Sequence, residues 1–171
     1  MPERIFVLGG TRSGKSRFGR ERALSLGGDA VTFVATARPG DAELDARIAL
    51  HRADRPAAWS TIEAGTDLAG AIAGVAPEHV LLIDSLTLWL SLALDGRAHA
   101  RDEWDRATAL LDRRSRAVIV VSDEIGLGMV PLDAAARAFR DELGWIHQRA
   151  AAWADEVFFL VAGLPTRLKG L

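Results

Sequence analysis

The segment Gly9-Gly10-Thr11-Arg12-Ser13-Gly14-Lys15-Ser16 fits G-x-x-x-x-G-K-[ST] at every fixed position. Each position has a separate physical task. The glycines let successive backbone N–H groups turn toward one anion, and a helix starting there aims its positive end at the same point. Lys15 supplies a compact cation for the outer phosphates, and the Ser16 hydroxyl is a hard oxygen donor suited to Mg2+. The chemistry predicted is the binding of a nucleoside triphosphate.

A metal-bound triphosphate also asks for a carboxylate at a strand end. Asp84 follows the apolar run V-L-L-I and is the better candidate, with Ser16 as the other metal ligand. Asp123 closes V-I-V-V-S-D and is the alternative, although either aspartate could serve instead as a helix N-cap. His51 is the third candidate. Leu44, Ile48 and His51 share one helical face, which is compatible with a half-buried histidine of structural use only. Its neighbours allow a different role. Arg47 is one turn before it, with Asp54 and Arg55 about one turn after. Arginines could grip phosphates and keep the imidazole neutral, hence nucleophilic, while Asp54 could orient the ring.

The elements that must position these residues are legible as an alternation. Short apolar runs at Ile5–Leu8, Ala30–Ala35, Val80–Ile83, Val118–Val121 and Val157–Val161 read as buried strands, and Trp59–Glu63 as a more exposed one. Helical patterns fall at about 15–27, 41–55, 66–75, 86–95, 102–114 and 132–154. In the last, Leu132, Ala136, Phe139, Leu143, Ile146, Ala150 and Trp153 form one stripe, with His147 off it. Strands joined through helices predict a mostly parallel α/β sheet, whose ligand sites lie at the strands' carboxyl ends. His79 and His99 sit in polar, turn-like surroundings and are expected to be solvated.

Composition excludes several classes. At 171 residues, with 49% hydrophobic and 26% charged, the chain suits one globular domain, 1–171. A net charge of −2 gives no field for nucleic acid. The absence of cysteine removes disulfides, thiolate metal sites and a thiol nucleophile together. No signal peptide and no apolar run near the ~20 residues of a membrane span is seen, so a cytoplasmic protein is expected. Nineteen of the 21 basic residues are arginine. Lysine remains only at Lys15, where a slim point charge is wanted, and at Lys169, for which the sequence suggests no role.

Together these motifs resemble the bifunctional adenosylcobinamide kinase / adenosylcobinamide-phosphate guanylyltransferase family of coenzyme B12 assembly. The resemblance runs through G-G-T-R-S-G-K-S-R, F-V-A-T-A, R-I-x-x-H-x-x-x-R-P, W-S-T-I-E, L-L-I-D-S-L-T-L-W-L-S, E-I-G-L-G-M-V-P and F-R-D-E-L-G-W-I-H-Q-R-A-A-A-W-A-D-E-V. It implies a single-domain P-loop fold of the RecA-like kind and a homotrimer. It further implies phosphorylation of adenosylcobinamide by ATP or GTP. GMP transfer from GTP to adenosylcobinamide phosphate then follows, through a GMP–histidine intermediate. On that resemblance His51 is the nucleophile and Lys15 the other catalytic residue. Nucleotide contacts fall on Gly9 to Ser16, on Val34, Ala35 and Thr36, on Arg52, Ala53, Asp54 and Arg55, and on Glu63 and Asp84. One departure is visible, because the family commonly has Asn where this chain has Asp123. The competing expectations are a small-molecule kinase with a structural His51, and a nucleotide-gated assembly subunit.

Overall fold

A computed structural model describes residues 3–38, 40, 42–53, 55–96 and 99–170, without the side chains of Glu43, Leu44, Arg47, Leu50 and His51. The elements run β1 (Arg4–Gly9), α1 (Lys15–Gly27), β2 (Val31–Ala35), α2 (Ala42–Ala53), β3 (Ser60–Glu63), α3 (Leu68–Ala73) and β4 (Val80–Asp84). They continue as α4 (Leu86–Asp95), α5 (Ala100–Leu111), β5 (Val118–Asp123), α6 (Ala134–Trp153), β6 (Glu156–Val161) and β7 (Leu164–Lys169). The strands form one sheet in the order β3-β2-β4-β5-β1-β6-β7. Every pair is parallel except β6 with β7.

The near-continuous apolar strands bury both faces. Ile5, Val7, Leu82, Ile119 and Val121 pack with Ala23, Phe18 and Leu26 of α1. Phe6, Leu81, Ile83 and Val120 point the other way, against α3, α4, α5 and α6. Glycine decides how closely α1 can lie: a Cβ at Gly19 would meet Val121 at 3.0 Å, and one at Gly27 would meet Val31 at 2.8 Å. Short polar caps start the helices. Asp67, Ser85 and Asp133 each accept a backbone N–H from the first turn of α3, α4 and α6. Among the described residues no helix is long and apolar enough to cross a membrane.

Three expectations change. Leu132 lies before α6 and is 99% exposed, because Asp133 is the cap and the helix starts at Ala134, two residues later than expected; the buried stripe begins at Leu143. That stripe is wider than predicted and includes His147, which is 8% exposed. His79 is not simply solvated, since its Nδ1 lies 2.9 Å from Thr32 Oγ1.

The seventh strand has no apolar signature. All six of its residues are exposed and one is Pro165, as an antiparallel edge allows. A two-residue turn joins β6 to β7 with Ala162 and Gly163 at φ 52° and 81°, the left-handed geometry of a type I′ hairpin. Here Lys169 acquires a role. Its ammonium donates to the carbonyls of Ala151 and Ala152, both at 2.9 Å, and to that of Ala154. It thereby caps the negative end of α6.

Candidate functional site

The carboxyl ends of β1, β5 and β4 lie side by side; Lys15 follows the first, and Asp123 and Asp84 are the last residues of the other two. After β1, the phosphate loop is set by two crowded glycines. A Cβ at Gly9 would lie 2.3 Å from Ser13 Oγ and 2.9 Å from Leu160 O. Gly14 has φ 93° and would approach Gly163 Cα at 3.2 Å. Arg12 also takes a left-handed φ of 56°. The loop is held from both sides, by Ser13 N–H donating to Gly10 O at 3.2 Å and by Gly163 N–H donating to Ser13 O at 2.9 Å. Gly14 then caps α1, so the helix's positive end opens toward the loop.

Lys15 is 8% exposed; its Nζ donates to Gly10 O at 3.2 Å and forms an ion pair with Asp123. Gly9 and Asp123 are in register across β1 and β5, which places that carboxylate beside the phosphate loop. The loop's own side chains at Thr11 and Arg12 are exposed. Asp84 lies one strand further, at the end of β4.

An open cleft begins at Lys15, Ser16 and Asp123, passes Asp84, and reaches Arg52, Arg55 and Glu63. Phe33, Ala35 and Leu88 supply apolar wall. Arg52 donates to Glu63 Oε1 at 2.7 Å. The Arg55 guanidinium stacks 3.5 Å from the Phe33 ring centre. Burial pulls the Arg55 pKa down from its ordinary value, and the Asp84 charge works against that shift. The cleft thus has a lysine and two strand-end carboxylates at one end and two arginines at the other.

Sequence-predicted residues divide accordingly. Lys15, Ser16, Ala35, Arg52, Arg55, Glu63 and Asp84 line the cleft. Val34 is fully buried in the sheet. Thr36 is 1% exposed and lies behind Asp84: its Oγ1 accepts Ser85 N–H at 2.7 Å and donates to Ser85 O at 2.8 Å. Thr36 therefore fixes the chain immediately after Asp84. Ala53 ends α2 and is exposed. His51 falls within α2, three residues after the cleft-lining Ile48 and four before Arg55. The His51 side chain and the whole of Asp54 lie outside the described residues.

Sequence reasoning missed a buried polar chain beneath this site. Thr87 Oγ1 accepts Asp123 N–H at 2.8 Å, and Ser122 Oγ lies 3.0 Å from Thr87 Oγ1 and 2.7 Å from His147 Nε2. Ser122 is fully buried and His147 packs on Phe6 at 5.7 Å between ring centres. The only available signal was a serine and a histidine inside otherwise apolar patterns. Desolvation drives the His147 pKa down to about 4, against the opposing pull of Glu124 and Asp123. Neutral His147 pairs with the Ser122 hydroxyl through Nε2, the tautomer deciding which of the two donates.

An acid sensitivity follows. In the unfolded chain a histidine titrates near 6.5, so between pH 6.5 and 4 the unfolded state binds a proton that folded His147 refuses. Stability is therefore lost as pH falls through that window, by up to about 3 kcal/mol. Urea midpoints at pH 7 and pH 4.5 should show a larger acid loss for the wild type than for His147→Gln. Equal losses would count against this assignment.

The model of a family described as "Cobinamide kinase / cobinamide phosphate guanyltransferase" matches residues 5–168. The chain is similar to the bifunctional adenosylcobalamin biosynthesis protein CobP of Pseudomonas aeruginosa, with 45% identity over 170 residues and 98% of each chain covered. It is also similar to the protein of that description, CobU, from Salmonella typhimurium, at 38% identity, covering 96% of this chain and 99% of the other. Among solved structures, the flagellar accessory protein FlaH from Methanocaldococcus jannaschii superposes with a TM-score of 0.58 at 13% identity, covering 98% of this chain and 78% of that one. The type III secretion ATPase EscN of enteropathogenic E. coli gives 0.56 at 14% identity, over 94% of this chain and 42% of that one. At such identities the likeness concerns the fold, which is that of the P-loop NTPases.

Proposed function

Because the chain belongs to the cobinamide kinase / cobinamide phosphate guanyltransferase family, we propose that this cleft serves two successive reactions in adenosylcobalamin biosynthesis. In the first, the γ-phosphoryl group of ATP or GTP passes to a hydroxyl of adenosylcobinamide. In the second, His51 attacks the α-phosphorus of GTP, pyrophosphate leaves, and GMP is held through a P–N bond. Adenosylcobinamide phosphate then takes the GMP and yields adenosyl-GDP-cobinamide.

The observation that carries this reading is the cleft's two charged ends. Lys15 with the α1 N-terminus suits the outer phosphates of a triphosphate. Arg52 and Arg55 suit a phosphate held beside α2, the helix that contains His51. Arginines there also favour a neutral, nucleophilic imidazole. The Ser16 hydroxyl and Asp84 carboxylate line the same wall, and two hard oxygens completed by phosphates and water suit Mg2+. Ser16 and Asp84 would hold the ion, which neutralises phosphate charge when bound. The working form proposed is a cytoplasmic homotrimer acting on these small molecules and not on nucleic acid.

GTP labelled at either the α or the γ position, supplied with adenosylcobinamide, tests the proposal. The γ-label should appear in the corrinoid, and the α-label should appear on protein and then in product. Transfer of γ-label alone would reduce the protein to a kinase. Transfer of neither would overturn the reading.

A further inference from the structure

The Lys15–Asp123 pair bears on how a nucleotide enters. A phosphate-loop lysine acts by placing its ammonium on the outer phosphates, yet in this structure that ammonium is already matched by a carboxylate. The pair is well shielded, with side-chain exposures of 10% for Lys15 and 25% for Asp123, so its charges are weakly screened. We propose that Asp123 is the resident counter-ion of Lys15, which the triphosphate must displace, and that it thereby sets nucleotide affinity.

The surroundings decide which partner moves. Asp123 has a short side chain on a backbone fixed at two points. Its N–H is held by Thr87 Oγ1 at 2.8 Å, and the next residue's N–H donates to Gly9 O at 3.0 Å. Thr87 is itself braced by Ser122 at 3.0 Å. Lys15 has a four-carbon stem, and its other contact shown is one bond to Gly10 O. Lys15 therefore swings to the phosphates, and Asp123 stays. It is then a carboxylate beside a polyanion, which opposes the bound state as well as competing in the free one. Both effects have the same sign.

The inference rests on Gly9–Ser16 being the triphosphate site, and the test separates the two ideas. GTP binding is measured by calorimetry on the full-length wild type and on Asp123→Asn, in EDTA and again with Mg2+. Asparagine keeps the shape and the backbone bonds, and should tighten metal-free GTP binding by about ten-fold or more. Unchanged or weaker metal-free binding overturns the proposal, as does a loss confined to the Mg2+ titration, which would make Asp123 a metal ligand instead. A wild type that binds no GTP at all sinks the triphosphate site itself.

A wild-type measurement guards against a variant that folds poorly. With two lysines in the chain, lysine-selective 15N spectra contain only the Lys15 and Lys169 ammonium signals. Adding GTP should shift the Lys15 signal and the Asp123 carboxyl carbon together, leaving Lys169 in place. A Lys15 shift with a stationary Asp123 carbon overturns the exchange.

Discussion

GTP labelled on its α-phosphorus should leave an acid-labile, base-stable mark on the wild-type chain and none on His51→Ala. The stability pattern identifies a nitrogen nucleophile, and its loss in the variant assigns that nitrogen to His51. Protonation of a phosphoramidate nitrogen makes a neutral imidazole leaving group, so acid cleaves the bond, whereas serine and threonine phosphoesters survive acid and yield to base. The expectation rests on the place of residue 51 in α2, within a turn of Ile48 and Arg55 on the cleft wall. It rests also on composition, because a chain without cysteine offers few other nucleophiles for a covalent nucleotide. Removing the nucleophile removes the covalent route altogether, so product guanylylation should fall by at least about 10³-fold. The γ-label should still reach adenosylcobinamide. A mark that persists on His51→Ala would assign the chemistry to another residue.

Lys15→Ala should lower γ-phosphoryl transfer by about 10³-fold, near 4 kcal/mol of transition-state stabilisation. Two losses combine. The compact cation that meets charge developing on the transferred group disappears, and Asp123 is left unmatched beside the phosphates. Lys15→Arg should not restore the rate, because the lysine is 8% exposed, with its ammonium held between Gly10 O and Asp123, and a planar fork needs more room. Single-turnover transfer from γ-labelled GTP reads both variants. A Lys15→Ala rate within ten-fold of wild type would remove this loop from the phosphoryl chemistry.

The residues that announce themselves in the sequence are those whose chemistry is tied to local spacing. Gly9 to Ser16 is contiguous because one turn and one helix start must surround one anion, and the strand before it is legible from unbroken apolar residues. Asp84 is legible for the same reason. Asp123 ranks second to it in the sequence, and its pairing with Lys15 is not legible there because it depends on sheet order: β5 lies between β1 and β4, so its end faces Lys15 directly. The Ser122–His147 contact was hidden for a related reason, since it joins residues 25 apart on a strand and a helix. The family resemblance implies a nucleotide contact at Thr36; the bond of its hydroxyl to Ser85 is a long-range pairing that no local pattern encodes. β7 escaped because an exposed edge strand needs no apolar alternation.

The bond from Gly163 N–H to Ser13 O has a consequence for the order in which the protein can become competent. The phosphate loop is made early in synthesis, but one of its two braces comes from the β6–β7 turn, some 150 residues later. A nascent chain released only as far as β5 would already carry Lys15, Asp84 and Asp123, yet its loop would lack the outer support, and a chain released as far as α6 would still lack the Lys169 cap. Triphosphate binding during translation should thus switch on late, with the hairpin as the final clasp rather than an ornament at the sheet's edge.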